Sequence, residues 1–84
     1  MFEIKLSKKA VKALENYDSL MRKNIAKAIE SLRANPFYGV QIKKLHGKLE
    51  GSYRYRAGDK RVIYSIDKKN KTVWIEAIGK HEIY

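Results

Sequence analysis

The sequence predicts an α+β domain in which two helices pack on one face of a mostly antiparallel sheet. Three observations predict it. Phe2-Glu-Ile-Lys-Leu6 alternates apolar and polar residues, as a half-buried strand does. Residues 8–32 then carry apolar residues at spacings of three and four, the period of amphipathic helices. After Gly51 come three strand-like segments separated by tight turns, an antiparallel meander. The 84 residues suffice for one domain with one core, spanning 1–84.

Taken in order, the first strand ends at Ser7, a good N-cap, and Ala10, Val11, Leu14 and Tyr17 form one helical stripe. Asp18 or Ser19 caps a second helix, with Met21, Ile25, Ala28, Ile29 and Leu32 on its core stripe. Asn35-Pro36 ends it, because the residue before proline is pushed out of the α region. A very short link thus makes an αα-hairpin. Phe37 to Gly51 reads as a loop, punctuated by Gly39, Gly47 and Gly51 and carrying Lys43, Lys44 and His46. It is long enough to be functional.

The most informative stretch is Gly51 to Ile66. Gly58-Asp59 fits a two-residue type II′ loop, in which glycine supplies the positive φ. That loop sets Ala57 against Lys60, Arg56 against Arg61, Tyr55 against Val62, Arg54 against Ile63 and Tyr53 against Tyr64. Alternation then places Tyr53, Tyr55, Val62, Tyr64 and Ile66 on one face, toward the helices. Arg54, Arg56 and Arg61 fall on the other, open face. Arg56 opposite Arg61 sets like charges against each other, which destabilises a ladder. An anionic partner offsets that repulsion, and the guanidinium fork suits phosphate best. The alternative is that the arginines only keep a solvated face soluble. The polar turn Asp67–Lys71 leads to Thr72–Ile78, whose nearly continuous apolar content reads as a central strand with Trp74 in the core, the alternative being a base-stacking platform. The neighbour of the first strand is not fixed by the sequence.

Lys and Arg number 19 and Asp and Glu 9, a net charge of +10. This favours an acidic partner, nucleic acid first and an acidic protein second. Charge alone does not locate the site, since both halves of the chain are basic. With no cysteine there is neither a disulfide framework nor a zinc-thiolate site. No run approaches a membrane span, and the alternating N-terminus is not a signal peptide. The expectation is a soluble, cytoplasmic protein without membrane association.

No carboxylate pair, Ser-His-Asp set, phosphate loop or metal-ligand spacing is evident. The only histidines are His46, before the arginine hairpin, and His81, just after the last strand. Each taken alone is as readily an ordinary surface residue. Beside an arginine cluster, however, two histidines suit metal-free RNA cleavage. A base takes the 2′-OH proton, the oxygen attacks the adjacent phosphate, and an acid protonates the leaving 5′-oxygen.

Asn35-Pro36, Lys44-Leu45, the Tyr53-Arg54-Tyr55-Arg56 strand, Gly58-Asp-Lys-Arg-Val-Ile-Tyr64 and the ending Gly79-Lys-His-Glu-Ile-Tyr84 resemble the RelE/ParE toxin superfamily, in particular its RelE-type mRNA interferases. The resemblance covers essentially the whole chain. It implies a ribosome-dependent, metal-free endoribonuclease of a type II toxin–antitoxin system, without a small-molecule cofactor. Such an enzyme cuts mRNA in the ribosomal A site, beside the 16S rRNA, and a cognate antitoxin covers or distorts its site. By position, Arg54 and Arg56 are expected to stabilise phosphate and Arg61 to hold the scissile phosphate. His81 would be general acid (or base), and Tyr84 would stack on a codon base. Lys43, Lys44, His46 and Lys80 are expected to contact RNA. The general base is open between His46, Glu50 and water. Two departures stand out: a short segment between Gly79 and Tyr84, and the lack of an evident base on the hairpin. The competing readings are a ParE-type DNA gyrase poison, a non-catalytic nucleic-acid-binding module, and a degenerate toxin that still binds its antitoxin.

Overall fold

The computed structural model describes residues 1–80. Ser7 accepts from the Ala10 amide at 3.1 Å and Asp18 from that of Met21 at 2.8 Å. Each satisfies one of the orphan donors at a helix start. They open α1 (Lys8–Glu15) and α2 (Ser19–Ser31). The strands are β1 (Glu3–Leu6), β2 (Ile42–Lys44), β3 (Ser52–Ala57), β4 (Lys60–Asp67) and β5 (Thr72–Gly79), with a 3₁₀ turn at Gly47–Leu49. The segment read as a loop therefore contains β2, three residues that pair antiparallel with β3. No helix among the described residues is long and apolar enough to cross a membrane.

The five strands form one sheet in the order β1-β5-β4-β3-β2. The β3–β4 register is the expected one at all five pairs, from Ala57 with Lys60 to Tyr53 with Tyr64. Gly58 has φ +64° and Asp59 is not in the positive-φ region, as the type II′ turn requires. β1 takes the free side of β5 and runs parallel to it, Lys5 beside Trp74 and Leu6 beside Ile75. The sheet is thus mixed, antiparallel except at this one edge.

Both helices lie on the face that carries Tyr64, Val62, Val73, Ile75 and Ile78, all buried against Ala10, Ile25, Ile29 and Leu32. Tyr53 and Tyr64 stack with centroids 5.6 Å apart, and Phe37 meets Tyr53 edge-on. Tyr64 has no exposed surface, and its hydroxyl donates to the Pro36 carbonyl at 2.8 Å. The turn that follows α2 is thereby tied to the central strand. Burial, and then the neighbouring Tyr53 and Tyr55 hydroxyls, push the Tyr64 hydroxyl well above the ordinary tyrosine value. At the β4–β5 turn, hydrogen bonds from the Asn70 side chain and backbone hold the Asp67 carboxyl below its ordinary range.

Trp74 is not in the core. It is 48% exposed, on the face away from the helices. β5 is interior to the sheet in the hydrogen-bonding direction, but the helices cover only one of its faces, and Trp74 alternates out of that cover between Val73 and Ile75.

Two predictions follow from these contacts. Tyr64→Phe leaves the Pro36 carbonyl buried without its donor and lowers unfolding stability by about 1–3 kcal/mol in denaturant titrations. Because folding raises this hydroxyl's pKa, its stabilising share is full below about pH 10 and is lost as pH rises through the raised value, so the Phe variant loses less stability in alkali. Arg56→Gln removes the like-charge opposition with Arg61 and stabilises the fold by about 0.2–1 kcal/mol at low ionic strength, an advantage that salt erases.

Candidate functional site

The open face is built by alternation outward from the turn. Arg54 pairs with Ile63 and Arg56 with Arg61, and β2 adds Lys43 opposite Arg54. Positions on one face lie about 5 Å apart across strands and about 7 Å apart along a strand. Four cations therefore occupy one contiguous patch. Arg54 and Arg61 are half-buried and Arg56 is exposed. Ile63, between Arg54 and Ala77, is buried at the floor of the patch. Among the described residues the ion pairs are Arg33 with Glu30 and Lys60 with Asp59, so none engages these arginines. Arg56 also lines a cleft of about 340 Å³ with Asn24, Lys27, Gln41 and Asp59, between α2 and the turn end of the hairpin.

Not every candidate joins the patch. Lys44 pairs with Tyr53 and so alternates to the opposite face. His46 is exposed at the start of the 3₁₀ turn, outside the strand ladder, and makes no capping hydrogen bond. Glu50 is exposed at the end of that turn. Gly79, the last residue of β5, pairs with Arg61, so the chain leaves the sheet beside that arginine and Lys80 is exposed there. His81 and Tyr84 lie outside the described residues.

Sequence reasoning missed Glu76. Between Ile63–Ala77 and Tyr64–Ile75 the β4–β5 register shifts, leaving Glu76 as the extra residue of a β-bulge. Its carbonyl, released from the ladder, accepts the Ser7 hydroxyl at 2.8 Å. Its carboxylate accepts the Ser52 hydroxyl at 3.1 Å. Ser52 precedes Arg54 by two positions on the same face of β3, so this contact holds a carboxylate across β4 at the margin of the cationic patch. A signal existed in the sequence. Val73, Ile75 and Ile78 cannot share one face under strict alternation, and Glu76-Ala77 is where the phase must slip. Among the described residues no three His, Asp or Glu side chains gather as metal ligands. The site offers guanidinium and ammonium groups for phosphate.

Comparison with known proteins agrees with this architecture. The chain resembles the toxin–antitoxin complex RelBE2 of Mycobacterium tuberculosis, with a TM-score of 0.85 and 21% identity over 95% of this chain and 98% of that one. It resembles the archaeal RelE–RelB complex of Pyrococcus horikoshii OT3, with a TM-score of 0.82 and 28% identity over 99% and 98%. For the intact RelBE toxin–antitoxin complex of E. coli the values are 0.80 and 20%, over 98% and 99%. No curated protein sequence gives a significant match. The family described as ParE toxin of type II toxin–antitoxin system, parDE, matches residues 4–83. With its two helices on an open mixed sheet and a match over nearly its whole length, the chain belongs to the ParE toxin family of type II toxin–antitoxin systems, within the RelE/ParE superfamily.

Proposed function

We propose that this toxin is a ribosome-dependent, metal-independent endoribonuclease that cuts mRNA in the A site and so stops translation in the cytoplasm. The observation that carries the proposal is the patch of Arg54, Arg56, Arg61 and Lys43 on one face, with the Glu76 carboxylate held at its margin. An RNA backbone laid on this patch offsets the repulsion between Arg56 and Arg61 that the bare fold tolerates.

In this reading Arg61 holds the scissile phosphate, and Arg54 and Arg56 stabilise the charge that develops as the 2′-oxygen attacks. Arginine stays protonated, so these residues serve as donors and not as bases. The 2′-OH proton passes to water, because the Glu76 carboxylate, held by the Ser52 hydroxyl, lies about 13 Å along the sheet from Arg61. The P–O5′ bond breaks, and His81 protonates the departing 5′-oxygen. The products are a 2′,3′-cyclic phosphate and a 5′-hydroxyl. Tyr84 stacks on a codon base, and Lys43 and Lys80 meet flanking phosphates. The partner in the cell is a cognate antitoxin, in keeping with the toxin–antitoxin complexes among the solved relatives, and in this reading it covers the arginine face.

A second reading has one observation in its favour: the matching family is that of ParE toxins, whose resemblance implies poisoning of DNA gyrase without RNA cleavage. A reconstituted translation reaction with primer extension separates the two. The nuclease reading expects cuts within A-site codons. Arg61→Ala reduces cleavage by about 10²–10³-fold, with the fold intact by circular dichroism. Translation without cuts, together with loss of gyrase supercoiling, establishes the second reading instead.

A further inference from the structure

Trp74 stands on the open face of β5, between Lys5 of β1 and Ser65 of β4, and nearly half of it faces solvent. An indole there leaves apolar surface in water that a threonine or serine at the same outward position would not. It does not stand on a flat surface. A cavity of about 380 Å³ opens beside it, lined by Lys5, Ser65, Asp67, Asn70 and Thr72. An aromatic wall with hydroxyl, amide and carboxylate groups around it and an ammonium at the rim is the composition of a pocket for a nucleobase and its phosphate.

The position fits the same conclusion. Ser65 lies four residues beyond Arg61 on β4, about 13 Å along the strand at ~3.3 Å per residue. At ~3.4 Å per stacked nucleotide, that span holds at most about four nucleotides. The cations Lys43, Arg54, Arg56 and Arg61 gather toward the turn, and Glu3, Asp67 and Glu76 stand with Lys5 around Trp74. The backbone of a polyanion is thus gripped at the arginine end, and the Trp74 end suits a base and one phosphate at Lys5.

We infer that Trp74 and the cavity beside it form a second, base-stacking subsite for single-stranded RNA, on the same face as the arginine patch and a few nucleotides from it. This inference rests on the nuclease reading for its ligand, but it concerns a different part of the face. One RNA strand crosses the sheet, its phosphate gripped at Arg61 and one of its bases laid on the indole with Lys5 against the adjoining phosphate. Stacking of this kind tolerates any base, so the subsite adds grip and register more than sequence preference.

Trp74 is the only tryptophan, so its fluorescence reports on the subsite directly. The full-length toxin is titrated at low salt with an eight-nucleotide RNA, and with the same ribose-phosphate chain made abasic at every position. The RNA quenches the emission and the abasic chain does not. By fluorescence anisotropy, Trp74→Ala weakens binding of labelled RNA about tenfold while Trp74→Phe keeps most of it. Arg61→Ala weakens binding yet leaves the quenching at saturation. RNA that binds with equal affinity to Trp74→Ala and leaves the emission unchanged overturns the subsite, as does a failure to bind RNA. Emission that responds to an antitoxin peptide but not to RNA overturns it in favour of a protein-binding face. The two readings fail separately. A-site cuts with no role for Trp74 leave the nuclease standing, and quenching without any cuts leaves the subsite standing.

Discussion

A two-residue turn at Gly58-Asp59 governs the rest of the molecule. With two residues in the loop, the strands on either side have a single register open to them, and a slip of one position would carry every side chain to the opposite face. Tyr53, Tyr55, Val62 and Tyr64 would then leave the core, and the arginines would be driven under the helices. The cost of burying an unpaired guanidinium excludes that alternative. Core and site are thus two sides of one constraint. The burial that fixes Tyr64 against Pro36 also holds the backbone from which Arg54 and Arg61 project.

The bulge at Glu76 is the second device, and it serves two ends at once. It restores Ile78 to the core after Ile75, and it turns a carboxylate onto a face that is otherwise mostly cationic. Ser7 stitches the displaced carbonyl to the start of α1, and Ser52 stitches the carboxylate to β3.

How much was legible follows from how local each determinant is. The helix starts were readable from Ser7 and Asp18, whose caps act within three residues. The hairpin was readable because Gly58 names its turn. β2 was not, since Ile42–Lys44 is too short to show a period among glycine-punctuated residues. The unbroken apolar run around Trp74 suggests cover on both faces, whereas β5 is interior only along its hydrogen bonds. The resemblance groups Lys44 and His46 with the site, but alternation separates Lys44 from it. Glu76 lay hidden in a phase slip that one carries past when reading residues in pairs.

The parallel pairing of β1 with β5 sets when the fold can be completed. Ser7 and Glu76, joined across that seam, are 69 residues apart in the chain. Among the described residues β1 pairs only with β5, so this pairing must wait until β5 has been made, while local pieces such as the α1–α2 hairpin can form earlier. The arginine hairpin can thus exist before the β1–β5 seam closes, which lengthens the interval in which an inhibitor can meet the toxin half-made.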